Sequence, residues 1–461
     1  MSHILDARFL GYAWTTQELS GFFSDEARFQ RWLDIEAVLA EAEGELGIIP
    51  AEAARAIAEN ARFSLFDGDF IRASYTETGH SLVPVLRALE RQCPPGTGEY
   101  IHFGATTQDI LDTELVLSMR HIWKILMRDC LRLETILLKL ASRYRITPMA
   151  ARTQCQQALP ITAGLKFAGF AAELRRDIER LKDFSRRGFV LMLHGAVGTM
   201  AGFGPQALEL REKVAAKLGL AVPPVVWNNA RDNVGEFQTV MGLAAGTLMR
   251  MANAVCTLGH TEIHELTEPL DPGKVGSSTM PHKRNPQRSS MVVAMGHIVQ
   301  ANVQLALQAQ CVEHERDTRT WRLDWHSIPE SSLLLAKMLE NMLYVFGDLG
   351  VHEDSMLRNL DALGGMLLSE AVMFELGKTL GKQTAHHILR RAVQQCGQEY
   401  GRFRECILAQ PEVAGKLSPE RLAELTDCAN YLGFAGEEVD RTIAFCRECA
   451  KSDAEAMEKV R

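Results

Sequence analysis

The chain lacks several features that would place it in common protein classes. It contains no run of 18 apolar residues, and residues 1–8 have no apolar region typical of a signal peptide. It also has no excess of positive charge, since the formal net charge is −8, and this argues against nucleic-acid binding. The sequence therefore predicts a cytoplasmic protein without a membrane or nucleic-acid partner.

Signals for a cofactor are equally scarce. The ten cysteines lack the spacings of a disulfide framework, which favours reduced thiols, and Cys446 and Cys449 are expected to share a helix face. No glycine-rich phosphate loop follows a predicted strand, so a nucleotide cofactor is not supported. His260 and His264 lie four apart without a third ligand at a telling spacing. We therefore expect neither a metal nor an organic cofactor.

What the chain does have is helical periodicity almost throughout. After Thr113, apolar residues recur at intervals of three and four. They are Leu115, Met119, Ile122, Leu126, Leu133, Ile136 and Leu140. Similar stretches are predicted from about 161 to 187, from about 233 to 265, after Pro286, and from 331 to 349. Long stripes of this kind predict an all-α fold built around an elongated helical bundle.

The distribution of these stretches suggests three parts. Residues 1–112 contain shorter helices and turn signals, and residues 113–362 hold the long helices. Residues 363–461 follow Gly364 and return to shorter helices. We therefore predict an N-terminal helical domain, a central long-helix domain and a C-terminal helical domain.

The segment 271–286, DPGKVGSSTMPHKRNP, is the most informative part of the chain. It combines flexible glycines, adjacent hydroxyls and polar donors: Gly273, Gly276, Ser277, Ser278, Lys283, Arg284 and Asn285. Asn285 suits a helix N-cap and Pro286 the first helical position. A mobile hydroxyl beside a positive helix start can take up a proton and stabilise the resulting anion. The alternative is a solvated basic turn that caps a helix.

This segment resembles the fingerprint of the fumarase/aspartase superfamily. Residues 102–109 (HFGATTQD) with Asp112 and Thr113 resemble a first family block, and residues 152–160 with 164–166 resemble a second. The resemblance covers roughly residues 3–435. It implies a three-part all-helical fold whose central helices form a twenty-helix bundle in a homotetramer, with each active site drawn from three subunits. It also implies a small polycarboxylate substrate, which loses a group next to a carbanion centre flanked by a carboxylate.

The resemblance assigns the loop a catalytic role. It implies Ser277 as the base, with Lys283 and Asn285 stabilising the doubly charged aci-carboxylate. Backbone amides around Gly276, Ser278 and Thr279 are candidate stabilisers of the serine alkoxide. A purely structural Ser-Ser turn is the alternative.

The first block supplies further candidates for substrate binding. The resemblance implies that His102 lies near the leaving group and that Thr106 and Thr107 hold carboxylates. Alternatively His102 is a hydrogen-bonding residue at a helix end, and the threonines cap the long helix. His80 occupies a position where adenylosuccinate lyases have an active-site histidine, and an ordinary core or surface histidine is equally consistent. Arg316 is a candidate anchor for a carboxylate.

Two departures from the family pattern belong together. Fumarases and adenylosuccinate lyases pair a histidine in the second block with a glutamate after the loop, whereas this chain has Gln154 and Ser290 there. Gln154 can bind a carboxylate but cannot transfer a proton at neutral pH. The general acid therefore lies elsewhere, with His102 as one candidate, or the leaving group needs little protonation.

The segment that contains Trp321 and Trp325 separates close relatives. Adenylosuccinate lyases have polar and arginine residues there that grip a nucleotide phosphate, which two indoles cannot do. The same spacing of tryptophans is similar to that of the 3-carboxy-cis,cis-muconate cycloisomerases, although Ala230 departs from both branches. The leading hypothesis is cycloisomerisation of a 3-carboxymuconate-type acid. A C–N lyase that releases fumarate from an N-substituted aspartate, and a catalytically silent, crystallin-like structural protein, are the alternatives.

Overall fold

The fold is almost entirely helical. The computed structural model describes residues 3–270, 273, 277 and 279–460. In these ranges the helices are α1 (Asp25–Glu45), α2 (Ala51–Asn60), α3 (Gly68–Thr78), α4 (Val83–Gln92), α5 (Thr107–Arg143), α6 (Ala163–Gly188), α7 (Ala207–Leu218), α8 (Asp232–Leu258), α9 (Gln287–Gln308), α10 (Thr318–Gly347), α11 (Glu353–Asp361), α12 (Ser369–Leu380), α13 (Lys382–Cys396), α14 (Phe403–Leu408), α15 (Pro419–Leu425) and α16 (Ala435–Lys459). The predicted all-α class is confirmed.

Each of the five predicted long stretches is a helix of the central bundle, but some ends differ. Helix α5 begins at Thr107 rather than Thr113, because the Asp109 carboxylate accepts a hydrogen bond from the backbone of Thr106 and closes a capping box. Helix α10 begins at Thr318, well before residue 331, because Asp317 caps it and Pro329 is accommodated inside it.

The start of α9 also differs from the expectation. The helix begins at Gln287, so Pro286 rather than Asn285 occupies the capping position. The distant Glu268 carboxylate accepts hydrogen bonds from the backbone N–H groups of Arg288 and Ser289, each at 3.0 Å, and from the Ser289 hydroxyl at 2.9 Å. A side chain from another element thus supplies the cap.

The main hydrophobic core lies between α5, α6, α8, α9 and α10. Helix α9 is long and apolar enough to span a membrane, but it packs along both α8 and α10. The C-terminal helix α16 returns to this bundle and packs on α5 and α6, where buried Arg175 forms ion pairs with Glu134 and Asp453. Separate apolar clusters lie in the N-terminal part around Leu33 and in the C-terminal part around Phe403. The two boundaries between the three predicted domains stay a prediction.

Two small antiparallel sheets of two strands each interrupt the helices and were not predicted from the sequence. Strands β1 (Pro148–Thr153) and β2 (Gln156–Thr162) pair with each other, as do β3 (Leu266–Thr267) and β4 (Gly350–Val351). The two sheets are linked because Arg152 on β1 makes a bidentate ion pair with buried Glu265, directly before β3. This ion pair joins residues far apart in sequence, which periodicity does not report.

Candidate active site

Several predicted site residues meet where α5 begins. Arg316 donates a hydrogen bond to the Thr106 hydroxyl at 2.9 Å, and the Thr107 hydroxyl lies 3.4 Å from His80 Nε2. His102 lies in the loop just before this helix, and its charge acts on His80. We call these five residues the α5 cluster. Although the chain brings them together from three separate segments, their catalytic roles stay a prediction.

Asp109 organises the backbone beneath the α5 cluster. Its carboxylate accepts hydrogen bonds from the backbone N–H groups of Thr106, His194 and Gly195 at 2.8–3.0 Å. Burial raises the pKa of Asp109 to about 6, although these three donors oppose the rise. The residue ties the start of α5 to the loop at 194–196, and so holds the cluster in place.

The two histidines of the cluster have opposite electrostatic environments. Burial lowers the pKa of His80, and the nearby charge of His102 lowers it further. His80 Nδ1 accepts hydrogen bonds from the backbone N–H groups of Leu82 and Val83, which leaves the proton on Nε2. For His102, burial lowers the pKa, but the charge and hydrogen bond of Glu36 outweigh it, so the net pKa is raised. A neutral imidazole thus lies beside one that favours its charged form, an arrangement typical of acid–base sites.

Arg316 carries an exposed cation whose partners are neutral. Besides Thr106, the guanidinium donates to the Gln108 side-chain oxygen at 3.1 Å and the Ala196 carbonyl at 3.0 Å. In the part of the chain that the structure describes, its hydrogen-bond partners carry no formal charge. The fixed fork of donors therefore retains its positive charge for an anionic ligand.

The loop before α9 has a different local geometry. Ser277 Oγ accepts hydrogen bonds from the backbone N–H groups of Thr279 at 3.4 Å and Met280 at 3.1 Å. Such donors stabilise negative charge on a serine oxygen. Lys283 is exposed and Asn285 is half-buried just before α9. Gly276 and Ser278, also part of this prediction, lie outside the described residues.

Gln154 occupies the tip of the β1–β2 hairpin. Both residues of this two-residue turn are exposed and have left-handed backbone angles, with φ of 52° at Gln154 and 63° at Cys155. Turns of this type usually contain asparagine or glycine, because other side chains are strained there. The hairpin therefore presents the Gln154 amide outward, away from the core of its own chain.

One chain does not bring these groups together. The α5 cluster lies at the start of α5, and Gln154 lies beyond its end; this helix of 37 residues spans about 55 Å. The Ser277 loop lies at the Gln154 end, because the Arg152–Glu265 ion pair connects the hairpin to the segment that leads into the loop. The base candidate and the α5 cluster are therefore at opposite ends of the molecule.

Sequence reasoning missed two acidic residues, buried Glu36 and half-buried Glu268. No periodic signal pointed to Glu36, which contacts His102 across 66 residues, or to Glu268, which caps α9. Trp321 does not line an open pocket: its ring is buried and its indole N–H donates to Asp112 at 2.9 Å. Only Trp325 is partly exposed, beside a groove of about 710 Å³.

Comparison with known protein families identifies the family of this chain. A family model described as "Lyase" matches residues 11–301, and one described as "Adenylosuccinate lyase C-terminus" matches residues 365–442. The chain belongs to the fumarase/aspartase superfamily. The resemblance predicted from the three sequence blocks is confirmed.

Superfamily relatives match along nearly the whole chain. The N-acetyl-S-(2-succino)cysteine lyase of Dickeya dadantii (strain 3937) is 38% identical, covering 96% of this chain and 98% of its own. The 3-carboxy-cis,cis-muconate cycloisomerase of Pseudomonas aeruginosa is also 38% identical, covering 92% of this chain and 93% of its own. The crystal structure of the 3-carboxy-cis,cis-muconate lactonizing enzyme from Pseudomonas putida has a TM-score of 0.89 at 32% identity, covering 96% of this chain and 99% of that one. This chain is therefore a superfamily enzyme, of a group that includes lyases and cycloisomerases.

Proposed function

We propose that this enzyme catalyses β-elimination from an S-(1,2-dicarboxyethyl) thioether, releasing fumarate and a thiol. The observation that carries the proposal is the double departure at Gln154 and Ser290, which removes the histidine–glutamate proton relay. A thiol has an ordinary pKa of about 8.5, so a thiolate leaves with little protonation, unlike an amine or an alcohol. The relative from Dickeya dadantii, named for such a thioether, supports the choice.

In the proposed reaction, Ser277 removes a proton from the carbon next to a carboxylate. The electron pair of that C–H bond passes into the carboxylate, and the aci-carboxylate is stabilised by Lys283 and by the amides of Asn285 and Gln154. The pair then forms the C=C bond while the C–S bond breaks. Ser278 completes the loop contacts to substrate in this scheme.

The α5 cluster is proposed to hold the other end of the substrate. Arg316, with its neutral partners, binds the second carboxylate, and the hydroxyls of Thr106 and Thr107 add donors. His80 orients Thr107 through its Nε2–H. His102 faces the leaving sulfur. The site thus supplies several cations to a dianionic substrate, which favours both binding and proton removal.

We also propose that the site forms between subunits of a homotetramer. This follows from the separation of about 55 Å between the ends of α5, which no small substrate bridges within one chain. In support, α9 is apolar in composition but largely not buried within the single chain, where Ala294, Ala301 and Leu307 are exposed, so part of its apolar surface remains to be covered.

A second candidate is cycloisomerisation of 3-carboxy-cis,cis-muconate. The similar cycloisomerase from Pseudomonas aeruginosa and the high TM-score to the Pseudomonas putida structure favour it. A carboxylate is likewise a leaving group that needs little protonation. The same serine base serves both reactions.

The test supplies purified enzyme separately with S-(2-succino)-N-acetylcysteine, 3-carboxy-cis,cis-muconate and adenylosuccinate. Fumarate and free thiol appearing together support the thioether lyase, whereas loss of muconate absorbance supports the second candidate. Fumarate from adenylosuccinate alone would favour a C–N lyase. Ser277→Ala is expected to lower kcat by about 10²–10⁴-fold, the usual contribution of general base catalysis. Ser142→Ala, at an exposed position on α5, is the control and is expected to retain activity.

A further inference from the structure

Glu36 is a buried acid that contacts a candidate catalytic histidine from a distant element. It lies on α1, its side chain is 1% exposed, and its Oε1 atom is 2.7 Å from His102 Nδ1. The other oxygen, Oε2, has no hydrogen-bond partner among the described residues. A buried carboxylate is costly unless a cation or donor compensates it. The His102 ring is that compensating group.

The geometry of the pair determines which nitrogen of His102 carries which function. A carboxylate accepts, so the Nδ1 proton is held toward Glu36, and Nε2 has no hydrogen-bond partner in the described ranges. His102 also has a left-handed backbone, with φ of 61°, which few residues other than glycine adopt. The ring is thus held from two sides, by its backbone and by the acid.

Three other ionisable groups of the described chain, Glu43, His80 and Asp109, interact electrostatically with the pair. On α1, Glu43 lies two turns after Glu36 on the same face and is likewise buried. His80 and Asp109 face the ring from the segment before α4 and from α5. Asp109 has backbone donors of its own, and Glu43 binds its proton unusually tightly, since burial and the charge of Glu36 raise its pKa to about 8. Glu36 is the one of these acids in direct contact with the ring.

We propose that Glu36 is a positioning residue that keeps His102 protonated and aims its Nε2–H at the leaving heteroatom. This inference rests on the proposed elimination: a thiolate leaves without the full proton relay that Gln154 and Ser290 have lost, and His102 supplies a single donor that further stabilises the charge developing on sulfur. As the C–S bond breaks, its electron pair stays on sulfur and takes the proton from Nε2. His102 ends as a neutral imidazole whose Nδ1–H still bonds Glu36, and water returns the proton. A carboxylate that fixes the opposite nitrogen is the arrangement of the serine hydrolase triad.

The first test measures His102 without any substrate. Hydrogen–deuterium exchange at the imidazole C2 position, followed by mass spectrometry of the peptide with residue 102, reports the midpoint of ring titration. In the wild type, we expect the titration midpoint of His102 to lie above the midpoint of exposed His387. In Glu36→Gln, we expect the midpoint of His102 to fall to the midpoint of His387 or below it. Asp34→Asn removes an exposed charge from the same helix and is expected to leave it unchanged. An equal midpoint in wild type and Glu36→Gln, or a wild-type midpoint at or below that of His387, overturns the proposal.

The second test measures catalysis with whichever acid is turned over. Glutamine keeps the shape and the acceptor oxygen of glutamate, so a merely structural role predicts an unchanged pH profile for Glu36→Gln. Loss of the charge instead predicts that the alkaline limb of kcat/KM moves to lower pH. It also predicts at least a tenfold loss of kcat above neutral pH and little change in KM. An unmoved alkaline limb overturns the proton-donor role. If the enzyme turns over none of the candidate substrates, that result counts against the proposed function alone. The exchange measurement on His102 requires no substrate and still tests the role of Glu36.

Discussion

At the scale of single residues, buried acids dominate the electrostatics around the α5 cluster. Glu43 lacks a hydrogen-bond partner on both oxygens among the described residues, and Asp109 depends on backbone donors. Burial raises the pKa of both, to about 8 and about 6. Buried carboxyl groups thus lie next to the candidate site, although their burial lowers the stability of the fold. Perturbed acids of this kind are common at functional sites.

Replacement of Glu43 by glutamine is expected to change how stability depends on pH. Its pKa falls from about 8 in the folded chain to its ordinary value of 4.5 on unfolding. Folding therefore requires proton uptake between these values, and stability is lost as the pH rises through this window. Glu43→Gln should match wild type near pH 5 and exceed it near pH 8 by roughly 3–4 kcal/mol, since each pH unit between the two pKa values contributes about 1.4 kcal/mol. Thermal unfolding measured across pH is the check.

The matched control is Glu45→Gln on the same helix. Glu45 is exposed, and ion pairs with Lys213 and Lys217 lower its pKa, so its neutralisation is not expected to stabilise the chain at high pH. Parallel pH profiles for wild type and Glu43→Gln would show that Glu43 is ionised in the folded state.

Arg316→Met is expected to impair substrate binding rather than folding. The guanidinium donates hydrogen bonds only to neutral groups in the described chain. Its removal therefore leaves no buried carboxylate without a cationic partner. Loss of one charge-assisted pair corresponds to about 1.5–3 kcal/mol, so KM should rise at least tenfold while the thermal midpoint stays close to wild type. Arg319→Met is the comparison, because Asp317 and Glu313 already neutralise that arginine. Equal KM values for the two variants would argue against an anion site at Arg316.

At the scale of elements, the start of α9 depends on one distant side chain. Glu268 caps the helix through the backbone of Arg288 and Ser289, and the proposed catalytic loop ends at this point. The cap therefore joins the stability of a long core helix to the position of Lys283 and Asn285.

Glu268→Ala should loosen both the helix start and the loop. Loss of a cap and of a negative charge near a helix N-terminus costs about 1 kcal/mol. We expect a lower thermal midpoint and several-fold faster trypsin cleavage after Lys283 and Arg284, since local opening exposes the backbone to protease. Glu262→Ala, at an exposed position on the preceding turn, is expected to change neither. Unaltered cleavage kinetics in Glu268→Ala would mean that the cap does not hold the loop.

At the scale of the whole molecule, the separation of the candidate groups makes a prediction about assembly. If Ser277 and His102 of one site come from different subunits, inactive variants should complement one another. Mixing unfolded Ser277→Ala and His102→Asn chains and refolding them together should restore activity to about a quarter of wild type. In a random mixture each of the two subunits that form a site supplies its intact residue half of the time. Turnover measured after refolding each variant alone is the control. No recovery in correctly sized mixed oligomers would place both residues in a site within one chain.

The sequence by itself determined the family and the helical class, and it predicted a catalytic role for the loop. Apolar spacing along one helix face is a local property, so the stretches that became α5, α6, α8, α9 and α10 could be recognised without neighbours. The string that contains Ser277, Lys283 and Asn285 is likewise continuous in sequence.

Tertiary structure alone decided which distant residues meet. His102 contacts Glu36 on another helix, because the buried charge of Glu36 must be compensated by a nearby group. Glu268 caps α9, because the first backbone N–H groups of a helix have no acceptor within the helix. The hairpin at Gln154 formed where Arg152 could pair with Glu265. The length of α5 then placed the α5 cluster and the serine loop at opposite ends. Spacing along a chain reports none of these contacts, because they depend on packing between segments and not on the order of residues within one.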